Sequence, residues 1–151
     1  MIIDTNLQFS NAQVLTVAAA STNTIDQGAT GTPYTPYGVT PAPLVRDVGR
    51  GKQNLDIFVD VVTTFAGLTT LQVQVQVSND NATWTTIESG ATVPAASLVA
   101  GYQFKTPFEI PEGDNQRYIR LYYNVTGTAT AGAITAGMVA SRQTNLSWGG
   151  Q

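Results

Sequence analysis

Between Leu71 and Ser78 the chain reads LQVQVQVS, an alternation of apolar and polar positions without an error. Side chains on a strand point to opposite faces with period two, so Leu71, Val73, Val75 and Val77 share an inner face and Gln72, Gln74 and Gln76 an outer one. A second alternating run, from Tyr118, sets Ile119, Leu121, Tyr123 and Val125 on one face against Tyr118, Arg120, Tyr122 and Asn124 on the other. It then turns through Gly and Thr into a further strand of small residues ending near Val139. From Asn54 a third run places Leu55, Ile57, Val59 and Val61 opposite Asp56, Phe58, Asp60 and Val62, with apolar groups on both faces.

Weaker signals fill the intervals. Residues 13–25 read as one or two short strands, and a further strand covers about Ala100 to Ile110, followed by a turn from Pro111 to Asn115. Ser78-Asn79-Asp80-Asn81 supplies the short polar side chains that close a hairpin, with Trp84 near its corner. The Tyr- and Pro-rich stretch over 29–45 contains Pro33, Pro36, Pro41 and Pro43. Each fixes φ and removes a backbone donor, which excludes a central strand and predicts an extended arm or loop. Tyr34 and Tyr37 either present two rings to a neighbour or fold back onto their own sandwich. With several strands, turn residues between them and no helical period, the chain is predicted to be all-β, a jelly-roll β-sandwich forming one domain over 1–151 with a flexible tail at 144–151. Small residues from Gly127 to Gly137 would let a second sheet or subunit come close.

Composition narrows the function. Charged residues make up 11% of the 151, against about 25% in an ordinary soluble domain, so much of the exterior is neutral and polar. The formal net charge of −3 and the lack of a basic stripe argue against direct nucleic-acid binding. There is no His and no Cys, which removes Ser-His-Asp triads, imidazole acid–base work, thiolate nucleophiles and His or Cys metal ligation. No run approaches the 18 or so apolar residues of a membrane span, and MIIDTNLQFSNAQ lacks the pattern of a signal peptide. Neither an enzyme nor a cofactor-binding protein is expected, and no membrane association.

Individual motifs support the same view. Asp56 and Asp60 share a strand face but stand about 13 Å apart along it, beyond the roughly 6.5–9.5 Å of an inverting glycosidase pair; they read as solvated or edge-protecting charges. Glu109, Glu112 and Asp114 surround a turn without the ordered spacing of a calcium loop. Gly49-Arg50-Gly51-Lys52 reads as a turn, since no complete phosphate loop surrounds it. Tyr118, Arg120 and Tyr122 form an aromatic-basic-aromatic ladder that fits sugars or apolar protein surface, or is covered by a crossing loop. Trp148, in NLSWGGQ, reads as a docking anchor or as part of a disordered end.

STNTIDQG at 21–28, RDVGRGKQNLDIFVDV at 46–61 and RYIRLYYNVTGTATAGAITAGMV at 117–139 together resemble the jelly-roll capsid cement proteins of tailed bacteriophages, the group that includes the cement protein of a Bordetella phage. With the SNDNATWTTI hairpin between them the resemblance spans nearly the whole chain, whereas 29–45 looks like an insertion. It implies a non-enzymatic protein of the virion, made in the bacterial host cytoplasm, that binds the outer surface of the assembled head and bridges adjacent capsomers. Its partners would be the major capsid protein and further copies of itself, most simply as a dimer, with Tyr34, Tyr37, Tyr118, Arg120, Tyr122 and Trp148 as partner-binding residues. The rival class is a carbohydrate-binding or tail-fibre sandwich using Tyr118, Tyr122 or Trp84 as a sugar platform. A third is a jelly-roll glycosidase or lyase in which Glu88 or Glu109 supplies one of two carboxylates.

Overall fold

The computed structural model describes residues 3–28, 30–31, 44–45, 55–111 and 114–142. Among these the protein is nearly all β, and helical geometry is confined to two 3-10 turns, Thr5–Leu7 and Ala95–Ser97. The strands are β1 (Gln8–Val14), β2 (Ala19–Ala20), β3 (Ile25–Asp26), β4 (Thr30–Gly31), β5 (Leu44–Val45), β6 (Asp56–Ser78), β7 (Thr85–Pro94) and β8 (Tyr118–Val139). β4 and β5 pair only with each other, which ties the two ends of the Pro-rich insertion together. The other six form one antiparallel sheet in the order β1-β8-β6-β7, with β2 and β3 on the outer side of β8.

β6 and β8 pair along their whole lengths, from Asp56↔Val139 to Ser78↔Tyr118. They are far longer than the five or six residues of a common strand, and their middle carries the adaptation this demands. Register shifts accumulate between Val61 and Thr70, and Gly67, Gly127 and Gly132 adopt positive φ there. At Gly132, with φ +138°, a Cβ would stand 2.0 Å from the Phe65 ring, so only glycine admits both the bend and that ring. Each strand thereby serves twice. The outer half-sheet runs β2/β3, the start of β8, the end of β6, then β7. The second half runs β1, the end of β8 and the start of β6. Its fourth member is the segment 98–108, which bonds to β6 through Val61 N to Tyr102 O (2.9 Å), Phe104 N to Val59 O (2.9 Å) and Ile57 N to Phe108 O (2.6 Å). Two four-membered halves joined in this order are the connectivity of a jelly roll.

The inner faces of the two halves share one core. Leu71, Val73, Val75, Val77, Ile119, Leu121 and Tyr123 from one half meet Phe9, Ile57, Val59, Val61, Ile134 and Met138 from the other, all buried. Each such aliphatic or aromatic burial contributes roughly 1.5–3 kcal/mol. A polar staple crosses between the halves: the Ser10 and Tyr123 hydroxyls are 2.7 Å apart, and Ser10 Oγ donates to Gln13 Oε1 at 2.7 Å. Complete burial pushes the Tyr123 phenol well above its ordinary pKa, so it remains a neutral hydrogen-bonding group.

The alternations at 55–61, 71–77 and 118–125 bury the residues assigned to the inner face, except Leu55, which is only partly buried. Two expectations are corrected. The stretch from Ala100 to Ile110 is an irregular edge with one isolated bridge, Asp60↔Gln103, because Gly101 and Pro107 interrupt regular pairing. Residues 118–139 are one bent strand rather than two joined by a turn. The small residues 127–137 receive the chain's own rings, Phe65 over Gly132 and Phe58 beside Gly137. Phe58 is accordingly buried, although it stands outside the central cluster.

Candidate partner-binding face

The outer face of the half-sheet built from β8, β6 and β7 carries the aromatic-basic ladder. Alternation against buried Ile119, Leu121 and Tyr123 leaves Tyr118, Arg120 and Tyr122 half-exposed. The β6–β8 register sets Arg120 opposite Gln76 and Tyr122 opposite Gln74. Arg120 Nε donates to Gln76 Oε1 at 2.9 Å, Gln76 Nε2 to Thr86 Oγ1 at 3.2 Å, and Gln74 Nε2 to Gln72 Oε1 at 3.2 Å. The Arg120–Gln76–Thr86 bonds thus run across the sheet from β8 through β6 to β7, while the three glutamines form a neutral row along β6.

Trp84 joins this face from the hairpin. Asp80 Oδ1 accepts from Ala82 N (2.9 Å), Thr83 N (2.7 Å) and Ser78 Oγ (2.8 Å), and Asn81 sits at φ +58°. These bonds hold the Asp80 carboxyl far below the usual carboxylate range and fix the turn. The turn lays the Trp84 ring under Arg120, whose Cζ is 4.0 Å from the ring centroid. Partial burial draws the Arg120 guanidinium below its ordinary pKa, while the Tyr122 charge opposes that shift. At the end of the ladder Arg117 lies 5.0 Å above Tyr118 and forms a two-pronged ion pair with Asp26 on β3, at 2.7 and 2.9 Å. Two of the three rings considered for a sugar platform, Trp84 and Tyr118, therefore already carry a guanidinium over one face.

The structure brings Tyr118, Arg120 and Tyr122 together; Tyr34, Tyr37 and Trp148 lie outside the described residues, as do Gly49 to Lys52 and the 144–151 tail. Asp56 and Asp60 both act on Arg142. Asp60 also accepts from Gln103 at 3.0 Å, and burial raises its carboxyl despite that bond. Glu88, on β7, is raised first by partial burial and then by the charge of Glu109. Among the described residues no group of three or more acidic side chains is arranged to hold a metal ion.

The profile of the Bbp16 family matches residues 9–138, nearly the whole sandwich from the first core residue of β1 to the end of β8. The chain belongs to the Bbp16 family. This family is of Bordetella-phage type, and membership makes the chain a phage protein of that type. The all-β fold agrees with a bacteriophage structural protein. Among curated proteins none matches the chain. The matched span contains the whole ladder and the Trp84 hairpin, and ends before the tail with Trp148.

Sequence reasoning missed Arg142. It follows the end of β8, where Nε and Nη2 donate to Ile57 O, Nη1 to Phe104 O at 3.1 Å, and Nη2 to Pro107 O at 3.0 Å. Its guanidinium also covers the Phe108 ring at 4.6 Å. One side chain thereby ties the irregular 98–108 segment to β6. The available signal was position: Arg142 is the first charge after the uncharged run 121–141. The pairing of Trp84 with Arg120 was also missed, because it depends on the hairpin's register.

Proposed function

We propose that this Bbp16-family chain is a capsid cement protein: it binds the outer surface of the assembled phage head, bridges adjacent copies of the major capsid protein and stabilises the shell without catalysis. The observation that carries the reading is the family match over residues 9–138, joined to a jelly roll of the kind those cement proteins resemble. The surface supports it as well. Few charges, a neutral glutamine row and ladder rings braced by Arg117 and Arg120 make a rigid face that meets protein with little ordering cost. Tyr118, Arg120 and Tyr122 are the described contact residues, with Tyr34, Tyr37 and Trp148 as contacts from the insertion and the tail. Many copies acting together turn modest single contacts into a strong clamp.

Cryo-electron microscopy of the native particle tests this directly. The reading requires density for the sandwich on the outside of the head, spanning a boundary between capsomers. Density confined to the tail, or none on the particle, rejects it. A tail location would turn attention to the fibre and carbohydrate reading.

A further inference from the structure

The ribbon formed by β4 and β5, from which the Pro-rich insertion projects, makes no strand pairing with the main sheet among the described residues. Its direction is therefore set by the turn that precedes it, and one ion pair ties that turn down. Asp26, on β3, stands opposite Tyr118 in the β3–β8 register. Its Oδ1 accepts from Arg117 Nε at 2.7 Å and from the Gly28 N–H at 2.9 Å, while its Oδ2 accepts from Arg117 Nη2 at 2.9 Å. The Gln27 N–H donates to Arg117 O at 2.9 Å. Thr30, where the ribbon begins, lies two residues beyond Gly28.

Arg117 is joined to the partner-binding face as well as to the turn. Its Cζ lies 5.0 Å from the Tyr118 ring centroid, and its backbone N–H donates to Asn79 Oδ1, at 3.3 Å, in the hairpin that carries Trp84. Gly28 completes the seat: a Cβ there would stand 2.6 Å from Arg117 Nε and 3.0 Å from its Cζ, so the guanidinium occupies the space a side chain would need. Arginine and carboxylate meet here in two parallel bonds, a fork that a lysine ammonium does not reproduce. Yet the pair is open to solvent, with the Arg117 side chain 50% and the Asp26 side chain 27% exposed, and exposed ion pairs add little to stability. Its geometry is more specific than stability alone calls for.

We propose that Arg117 is a positioning residue for partner binding: latched to Asp26 and seated against Gly28, its guanidinium fixes the direction of the β4–β5 ribbon relative to the ladder, so that both meet the coat already aligned. Two contact elements on one chain bind together at least cost when their relative direction is set before the encounter. Without the latch, the ribbon has to be ordered at the moment of binding. Arg117 reaches the turn through Asp26 and Gln27, the ladder through Tyr118 and the hairpin through Asn79, so one residue holds all three in register. This deepens the capsid-cement reading and rests on it for the identity of the partner; the alignment itself is measured on the free protein.

The chain has no Cys, so Val45→Cys on β5 and Thr92→Cys on β7 carry two spin labels without background. Double electron–electron resonance on the full chain should give one narrow distance distribution. Arg117→Ala should broaden it by about twofold or more, with the melting temperature within about 4 °C of the parent's. Arg117→Lys, which keeps the charge but not the fork, and Gly28→Ala, which displaces the guanidinium without altering either ion, should broaden it alike. Each of the three should weaken binding to shells lacking the protein by about 3- to 10-fold. Arg120→Ala removes a contact instead, and should weaken shell binding with the distribution unchanged. A parent distribution as broad as that of Arg117→Ala, or a narrow one in Arg117→Lys and Gly28→Ala, would overturn the proposal. So would broadened distributions with shell affinity equal to the parent's. Distributions that behave as expected in a parent that does not bind shells would uphold the alignment and reject the cement reading.

Discussion

The bend that lets β6 and β8 serve both halves of the sandwich depends on one ring meeting one missing side chain. A double-mutant cycle at Phe65 and Gly132 measures this. Phe65 is almost fully buried and its Cδ1 lies 2.0 Å from where a Cβ at Gly132 would stand. Phe65→Ala removes a ring from the core, which should destabilise by about 3–5 kcal/mol and lower Tm by roughly 6–20 °C at about 2–4 °C per kcal/mol for a domain of this size. Gly132→Ala should destabilise too, by about 1–3 kcal/mol for an L-residue at φ +138°, with a further penalty from displacing the ring. In the double variant the ring is gone and the new methyl enters the space it left. The combined loss should therefore fall short of the sum by about 1–2 kcal/mol, well beyond the ~0.5 kcal/mol within which independent sites add. Urea unfolding with unchanged m-values supplies the four free energies. Additivity within ~0.5 kcal/mol, or a neutral Gly132→Ala, would refute this account of the bend.

Further outcomes follow from the same geometry. Arg142→Ala and Arg142→Lys should both destabilise, on the order of 2–3 kcal/mol for the alanine, and hydrogen exchange should rise along 98–108 with β7 unaffected; equal protection of that segment in parent and variant would remove the clamp. Glu88 has a carboxyl raised above its unfolded value by burial and then by Glu109, so its contribution is fully present below the unfolded pKa of about 4.3 and is lost as pH rises through the folded value. Glu88→Gln should accordingly be more stable than the parent at pH 7 and indistinguishable from it near pH 3; a gain that does not vary with pH would contradict this. Trp148→Ala should leave the melting temperature of the free protein unchanged while weakening particle binding, and unchanged particle affinity would eliminate the anchor.

Much of the inner face was legible because strand alternation is a local property: Leu71 to Val77 and Ile119 to Val125 face inward without exception. The irregular edge at 98–108 was not, since its backbone bonds go to β6, some 40 residues earlier, and its order depends on Arg142 further on. Local pattern likewise read Gly127 and its neighbours as a turn between strands, whereas pairing with the equally long β6 keeps β8 continuous and converts its positive-φ glycines into a bend. The ladder at 118–122 was visible as residues but not as a braced face. That required knowing that Gln76 stands opposite Arg120 and that the hairpin brings Trp84 beneath it.

The claim that the chain is a capsid cement protein is tested most directly by the temperature at which shells lacking it open, measured with and without saturating protein. A component that binds only the assembled state stabilises that state by mass action, so opening should move to higher temperature as protein is added and level off at saturation, with chelator making no difference. Shells that open at the same temperature at every protein concentration would contradict the account.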